Sequence, residues 1–438
     1  MYQTFNKYTW GAMFSQLFGY MMDSLDLTLI ISTGPVLARV LLPPSSLLTG
    51  LLLILFAYST TIIFRPLGSA IFGNLGDKIG RRDVLMITIA GFSVAGAFTS
   101  ILPTYEQVGI LSFALFLLIR AIVGIFAGGE YAAGHPFAIE WTPKKWRGIV
   151  SGVIQSGFNF GAALAALVTS AFISAFGLER ILAYAWRYVF LASLIPLAVA
   201  LPIRLFMPET PIFHDVKRKG ALERVPIASI FKPPVLWTFL QVMLITTGLF
   251  LTGSVIYSFI PVILENKPSI LPLTEVTYII SFGNIFAAIA TILIGAVSQF
   301  LGRRLTAMSV TAAAIVLSVP LFYGIFHLAA IGAVPLILLL YFITAIVAQG
   351  PWGVIPAYLV ERFATTHRAS GVGFGYSSGI FLGGWFSFYV AAMHNYLFKA
   401  IDTPTNIWFS TAVLLIIGAT LAFIGFFIGP ETKDIDIA

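Results

Sequence analysis

Gly73-Asn74-Leu75-Gly76-Asp77-Lys78-Ile79-Gly80-Arg81-Arg82 sits between two long apolar runs of this 438-residue chain. A weaker copy runs from Gly295 to Arg304, where Gly295, Gly302, Arg303 and Arg304 repeat Gly73, Gly80, Arg81 and Arg82. The shift is 222 residues (295 minus 73), about half of the chain. Pro208-Glu209-Thr210 returns as Pro430-Glu431-Thr432 at the same spacing. Glu140…Arg147 returns as Glu361…Arg368, 221 residues on (361 minus 140). One bundle is written twice.

Composition says what kind of bundle. Hydrophobic residues make up 58% of the chain and charged residues 10%, with mean hydropathy +0.95. A soluble chain carries about 25% charge. Continuously apolar runs recur from Met13 to Ile428, each long enough to cross ~30 Å of hydrocarbon as a helix. Barrel strands would alternate apolar and polar residues instead. No small-residue cleavage site follows the first run, so no cleaved leader is expected. The chain has no cysteine, which excludes disulfides and thiolate metal sites.

Twelve spans are expected, at 13–37, 47–72, 84–102, 108–139, 149–176, 184–206, 235–264, 275–301, 305–326, 331–360, 371–396 and 406–428. Pro136, Pro196, Pro261 and Pro356 favour kinks within them. With both termini placed in the cytoplasm, eighteen Lys and Arg residues face inside, Arg204 and the Lys217-Arg218-Lys219 run among them. Five face outside: Arg39, Arg180, Arg187, Lys267 and Lys399. The net charge of +7 is therefore a topology signal, not a nucleic-acid patch. The expected architecture is an all-α membrane protein of twelve transmembrane helices in two pseudo-symmetric six-helix halves, 1–207 and 235–438, joined by a cytoplasmic linker, 208–234. Two parallel repeats with a site between them suit a transporter.

These features resemble the major facilitator superfamily over essentially the whole chain. Gly73-x-x-x-Asp77-Lys78-x-Gly80-Arg81-Arg82 matches its loop 2–3 motif, and Arg120-x-x-x-Gly124 its span-four basic motif. Phe64-Arg65-Pro66-Leu67-Gly68, Gly128-Gly129-Glu130 and Asp23-Ser24-Leu25-Asp26 are similar to the metabolite–proton and the sialate and lactate–proton symporters. Span five lacks the Gly-Pro motif of drug exporters, and span seven lacks the Gln-Leu-Ser run of sugar porters. The resemblance implies proton-coupled uptake of a small organic acid across the cell membrane by a monomer, without a cofactor or metal. Sugar or polyol transport, or export, is the alternative.

Ionisable residues inside spans are costly and mark function. Here they gather in the first half: Asp23, Asp26, Arg65, Arg120, Glu130 and His135. Asp26, paired with Arg120, is the favoured proton carrier, ahead of Asp23 and Glu130. Arg65 or Arg120 is expected to hold a substrate carboxylate bidentately. Gln155, Asn159, Tyr257, Asn284, Gln349, Trp352 and Tyr376 supply neutral polar and aromatic groups to the same cavity. Gly73, Gly76, Asp77, Gly80, Arg81 and Arg147 are the expected gate. The resemblance puts the partner of Asp77 at the start of span eleven, near Ser370 and Gly371. Because Gln299 replaces Asp77 in the second copy, the gate is expected to be asymmetric. No phosphate-binding loop, zinc-protease motif or nucleophile elbow is present, so neither an enzyme nor an ATP-driven pump is expected. A receptor without transport is disfavoured by the lack of a large soluble extension.

Overall fold

The computed structural model describes residues 4–43, 47–266, 268–403 and 406–437, so Lys267 lies outside the described residues. Apart from the connecting turns and loops those residues are helical, with a single isolated bridge between Thr403 and Asn406. Among the described residues, ten helices are long and apolar enough to cross a membrane, from Leu53–Ile79 to Trp408–Ile428. Span one is a bent pair, Lys7–Ser32 and Gly34–Leu41, with 65° between its parts. The eleventh span is helical but interrupted at Gly379 and at Gly384-Trp385, which leaves short pieces at Arg368–Ser378, Ile380–Gly383 and Phe386–Ala392.

The prolines divide. Pro261 follows a π turn at Val255–Phe259, and Pro356 follows a 3-10 turn at Gly350–Val354. Such turns absorb the bond that proline cannot donate. Pro136 is the exception, because Leu111–Glu140 runs through it unbroken.

Small residues set the distances between helices. A Cβ on Gly124 would sit 2.2 Å from the Thr61 carbonyl oxygen, and one on Gly128 2.1 Å from that of Arg65. Spans two and four therefore meet backbone to backbone, as small residues spaced by four allow in membranes. Gly128→Val is expected to abolish the monodisperse species in detergent size-exclusion chromatography, since backbone atoms cannot yield.

The repeat is visible bond by bond. Gly80 and Gly302 end the second and eighth spans with φ of 120° and 99°, values that favour glycine. Glu209 accepts the Arg82 backbone N–H at 2.9 Å, and Glu431 accepts those of Arg303 and Arg304 at 2.8 and 3.0 Å. The Arg82 guanidinium donates to the Arg204 and Leu205 carbonyls, and that of Arg304 to Phe426 and Phe427. Each Pro-Glu-Thr segment thus pins the end of its own half to that half's motif. Burial pushes the Glu209 carboxyl above the usual carboxylate range, against the pull of the Thr210 and Arg82 N–H groups.

Candidate transport site and gate

Asp23, Asp26 and Glu130, the carboxylates within spans one and four, are each buried against an arginine, in different surroundings. Asp26 accepts from Arg120 Nη1 at 2.8 Å and from Ser193 at 3.0 Å. Arg120 in turn donates to Thr99 at 2.9 Å and lies over the Phe116 ring. This pair is walled in by spans one, three, four and six of its own half, with both residues fully buried. Glu130 is clamped by both Nη atoms of Arg204 and by Thr88 at 3.1 Å. Asp23 is different. One oxygen accepts from Arg65 Nη2 at 2.7 Å, and the residue borders a small cavity of ≈ 10 Å³ shared with Gly19, Ile89, Phe92, Ala127 and Glu130. That is room for about one water. Arg65 Nε is buried with no acceptor among the described residues.

A polar and aromatic cluster lies one helical turn from Asp23, at the seam between the halves. Tyr20 donates to or accepts from Tyr376 at 3.0 Å, and Gln155 Nε2 donates to the Tyr20 hydroxyl at 3.4 Å. The Tyr131 ring stacks on Tyr376 with centroids 3.5 Å apart and on His135 at 3.7 Å. Trp352 and Phe250 pack edge-on to Tyr376. Ser69 meets Ser377 across the same seam at 2.7 Å.

The gate is built at the end of the bundle that carries the motif. Asp77 accepts the Ala369 and Ser370 backbone N–H groups at 2.9 and 2.8 Å, in the first turn of the helix Arg368–Ser378. That turn presents unpaired N–H donors and a partial positive charge, which suit a carboxylate. Arg81 bridges Asp77 at 3.1 Å and Glu140 at 3.5 Å and donates to the Thr365 carbonyl. Glu140 also takes Arg368 at 2.8 Å and Thr210. Arg147 does not join this cluster. It pairs with Glu361 at 3.9 Å, beside Arg303 and Thr432, because it is the repeat partner of Arg368. The two arginines therefore cross the seam reciprocally, each to the other half's glutamate. Gln299 holds the Gly148 N–H at 2.8 Å, so the second copy keeps the geometry of Asp77 and loses its charge.

Asp77→Asn keeps a single acceptor oxygen and loses both one backbone bond and the charge. It is expected to shift the resting population towards opening at this end by roughly tenfold, the worth of a charge-assisted bond. The cysteine-free chain allows a direct check, the maleimide labelling rate of a Ser377→Cys variant with and without the Asp77 change.

Several sequence assignments change. Arg204, counted among the cytoplasmic cations at the end of span six, is fully buried as the counter-ion of Glu130. Arg120 faces its own half and not the central cluster. Asn159 accepts from Tyr257, so these two are joined across the seam. Gln349 donates to the Gly253 carbonyl of span seven at 3.2 Å, a contact between two helices of the second half, and Asn284 donates to the Ile280 carbonyl of its own helix at 3.3 Å. Gln155, Trp352, Tyr376 and Arg65 stay with the cluster. Sequence reasoning missed Gln16, Tyr20 and Tyr131 there, and Glu140, Glu361 and Arg368 at the gate. The gate trio was visible in the Glu…Arg repeat.

The match to known proteins agrees with this geometry. The model of the Major Facilitator Superfamily matches residues 16–387. The chain belongs to the major facilitator superfamily. Members of this superfamily are transporters rather than enzymes, and this chain is an integral membrane protein that moves metabolites. Among relatives, it is 26% identical to YdfJ of Escherichia coli (strain K12), a protein named as a transporter, over 91% of each chain. It is 26% identical to the shikimate transporter of the same organism, over 92% of this chain and 90% of the other. It is 28% identical to the ectoine/proline transporter ProP of Corynebacterium glutamicum, over 76% and 68%. Among solved structures, the proton:xylose symporter XylE bound to 6-bromo-6-deoxy-D-glucose superposes with a TM-score of 0.77, at 18% identity over 98% of each chain.

Proposed function

We propose that this major facilitator protein imports a small carboxylate across the plasma membrane together with a proton, as a monomer whose halves 1–207 and 235–438 rock about the central seam. The motif end is the cytoplasmic end in this reading, and the gate described above holds it shut. The observation that carries the proposal is the Arg65–Asp23 pair: a buried guanidinium with donors to spare, and a carboxylate bordering a cavity, beside the polar cluster.

Coupling follows from competition for one cation. A substrate carboxylate that docks on Arg65 draws it from Asp23. An ionised Asp23 would then be buried without a counter-ion, at a cost of several kcal/mol. Taking a proton removes that cost, so carboxylate and proton are bound together or not at all. Opening of the cytoplasmic gate admits water, the substrate leaves Arg65, and Asp23 gives up its proton to regain the pair. Asp23 is thus the carrier in preference to Asp26, whose oxygens are held by Arg120 and Ser193 in a closed pocket. Glu130, with Arg204 committed to it, acts through the cavity it shares with Asp23. The relatives named for shikimate, ectoine and proline handle molecules that bear a carboxylate, which supports the substrate class. Sugar or polyol symport is the second reading, favoured by the neutral amide and tyrosine groups of the cluster.

The test is uptake into proteoliposomes under an imposed pH gradient, screened across lactate, sialate, dicarboxylates, aromatic acids and hexoses. Accumulation of an acid that collapses when the gradient is dissipated supports the proposal. Uptake confined to hexoses would replace it with the second reading.

A further inference from the structure

We infer that residues 433–437 form a strap across the motif end, which must let go of the first half before that end can open; this rests on the reading that the motif end opens and closes, and not on the cargo or its proton. The repeat breaks at this point. Pro208-Glu209-Thr210 runs on into the helix Pro211–Arg218, capped by the Thr210 hydroxyl. Pro430-Glu431-Thr432 runs on into Lys433, and residues 433–437 are not helical. The strap is rooted in its own half. Glu431 accepts the Thr432 and Lys433 backbone N–H groups, each at 2.9 Å, besides those of Arg303 and Arg304. Thr432 donates to Glu361 at 2.7 Å, and Lys433 Nζ to the Phe300 carbonyl at 2.7 Å. Beyond that root the chain crosses the seam. Lys144 Nζ of the first half donates to the Asp434 carbonyl at 2.6 Å, and Arg147 Nη1 to that of Ile435 at 3.0 Å. The Ile437 carbonyl returns to the second half, accepting from Arg368 Nη2 at 2.9 Å and from Thr365 at 3.4 Å. The Ile437 side chain is buried in an apolar cluster fed by both halves, with Met13, Ile139 and Ile154 from one and Phe363 and Phe426 from the other.

The two seam-crossing arginines show what the strap adds to closure. Arg147 and Arg368 are repeat partners, yet they are bonded unequally. Arg368 meets Glu140 with Nη1 at 2.8 Å and has Nη2 left for the strap. Arg147 stands 3.9 Å from Glu361, beyond hydrogen-bond range, and Glu361 is already held by Arg303 and Thr432. The Ile435 carbonyl takes the donor that the glutamate does not reach. On this side of the seam the strap therefore supplies the bond that Glu140 supplies on the other. Its acceptors are backbone carbonyls, so the grip of the first half does not depend on the side chains at 434 and 435. Ile437 is the apolar anchor that holds those carbonyls in place. When the halves part at this end, Lys144 and Arg147 move away from Glu361 and Arg368. A strap rooted at Thr432 cannot follow both, so it releases Lys144 and Arg147, and closure waits on its docking again.

Two measurements test the strap, and neither needs a solute. Ile437→Ala removes most of the anchor and is expected to raise the maleimide labelling rate of Ser377→Cys about tenfold, as a shift towards the open motif end. Asp77→Asn in the same background is the reference. Faster labelling with Asp77→Asn and an unchanged rate with Ile437→Ala overturns the strap and leaves the gate standing. An unchanged rate with both overturns the reading that this end opens, and the strap with it. The second measurement leaves the packing of Ile437 intact. Cysteines replace Lys144 and Asp434, whose side chains are exposed, and a short bifunctional methanethiosulfonate joins them. Hydrogen exchange is then read at the Ala369 and Ser370 amides that Asp77 holds. Exchange there is expected to be at least about tenfold slower in the cross-linked protein than in the same protein after reduction, because the opening that exposes those amides is blocked. Equal exchange in the two states overturns the inference, since the end then opens with the strap still tied to the first half.

Discussion

Asp23→Asn leaves solute exchange running and removes accumulation driven by a pH gradient. Asparagine is close to the shape of a protonated aspartate and can neither take nor release a proton. In the variant Arg65 is permanently free for a substrate carboxylate, so the occupied carrier still crosses and counterflow persists. Uptake against a gradient falls to background, at least tenfold below the unaltered protein, because nothing ties translocation to proton movement. Binding changes in a second way. In the unaltered protein each carboxylate bound brings a proton to Asp23, so apparent affinity should rise as pH falls, by up to about tenfold per pH unit while Asp23 is ionised in the empty carrier. In Asp23→Asn that slope should be flat. Asp26→Asn is the contrasting variant: its partners Arg120 and Ser193, with Thr99 behind Arg120, all lie within one half, so the expected loss is in folded yield and not in the pH slope. Parallel counterflow and gradient-driven uptake, with the pH dependence of binding, check all three statements.

Arg65 carries the second large effect, and the two reasonable substitutions separate its roles. Arg65→Lys keeps a positive charge for Asp23 but gives up the planar fork that meets a carboxylate with two parallel bonds. About 2 kcal/mol of substrate binding, roughly a thirtyfold weakening, is expected, with folding preserved. Arg65→Ala does more. It leaves Asp23 as a buried charge without its counter-ion, which costs about 3–5 kcal/mol and should strip most of the folded protein from the membrane fraction. Adding Asp23→Asn to Arg65→Ala removes the stranded charge and should restore folded yield without restoring binding. Comparison of the two variants by size-exclusion yield and ligand binding would show whether the pair is more than a brace between spans one and two.

Much of the fold could be read directly, because its determinants are local. Apolar run length gives the spans, and the 222-residue repeat gives the two halves. The gate was legible only through the resemblance, which put the partner of Asp77 at the start of span eleven. Asp77 sits in a motif, and the Ala369 and Ser370 N–H groups that receive it open the span-eleven helix. What could not be read was which charges face each other. Arg204 looks like one more cytoplasmic cation at the end of span six until the fold carries it beside Glu130, 74 residues away in sequence. Arg147 looked like a neighbour of Asp77, because both lie at the same end of the bundle. Rotational symmetry between the halves decides that it pairs instead with Glu361. The substrate cluster was the least legible part. Gln16, Tyr20 and Tyr131 carry no charge inside an apolar run, and only the packing of spans one, four, five and eleven at the seam brings their polar atoms together.

The central claim is that substrate and Asp23 share one guanidinium, so that binding of a carboxylate is itself a protonation event. The direct measurement is proton uptake by the purified protein in weakly buffered solution, followed with a pH indicator as the acid identified by the uptake screen is added. The account predicts about one proton taken up for each carboxylate bound, and none in Asp23→Asn at equal occupancy. Saturable binding with no proton uptake in the unaltered protein, or undiminished uptake in Asp23→Asn, would contradict it.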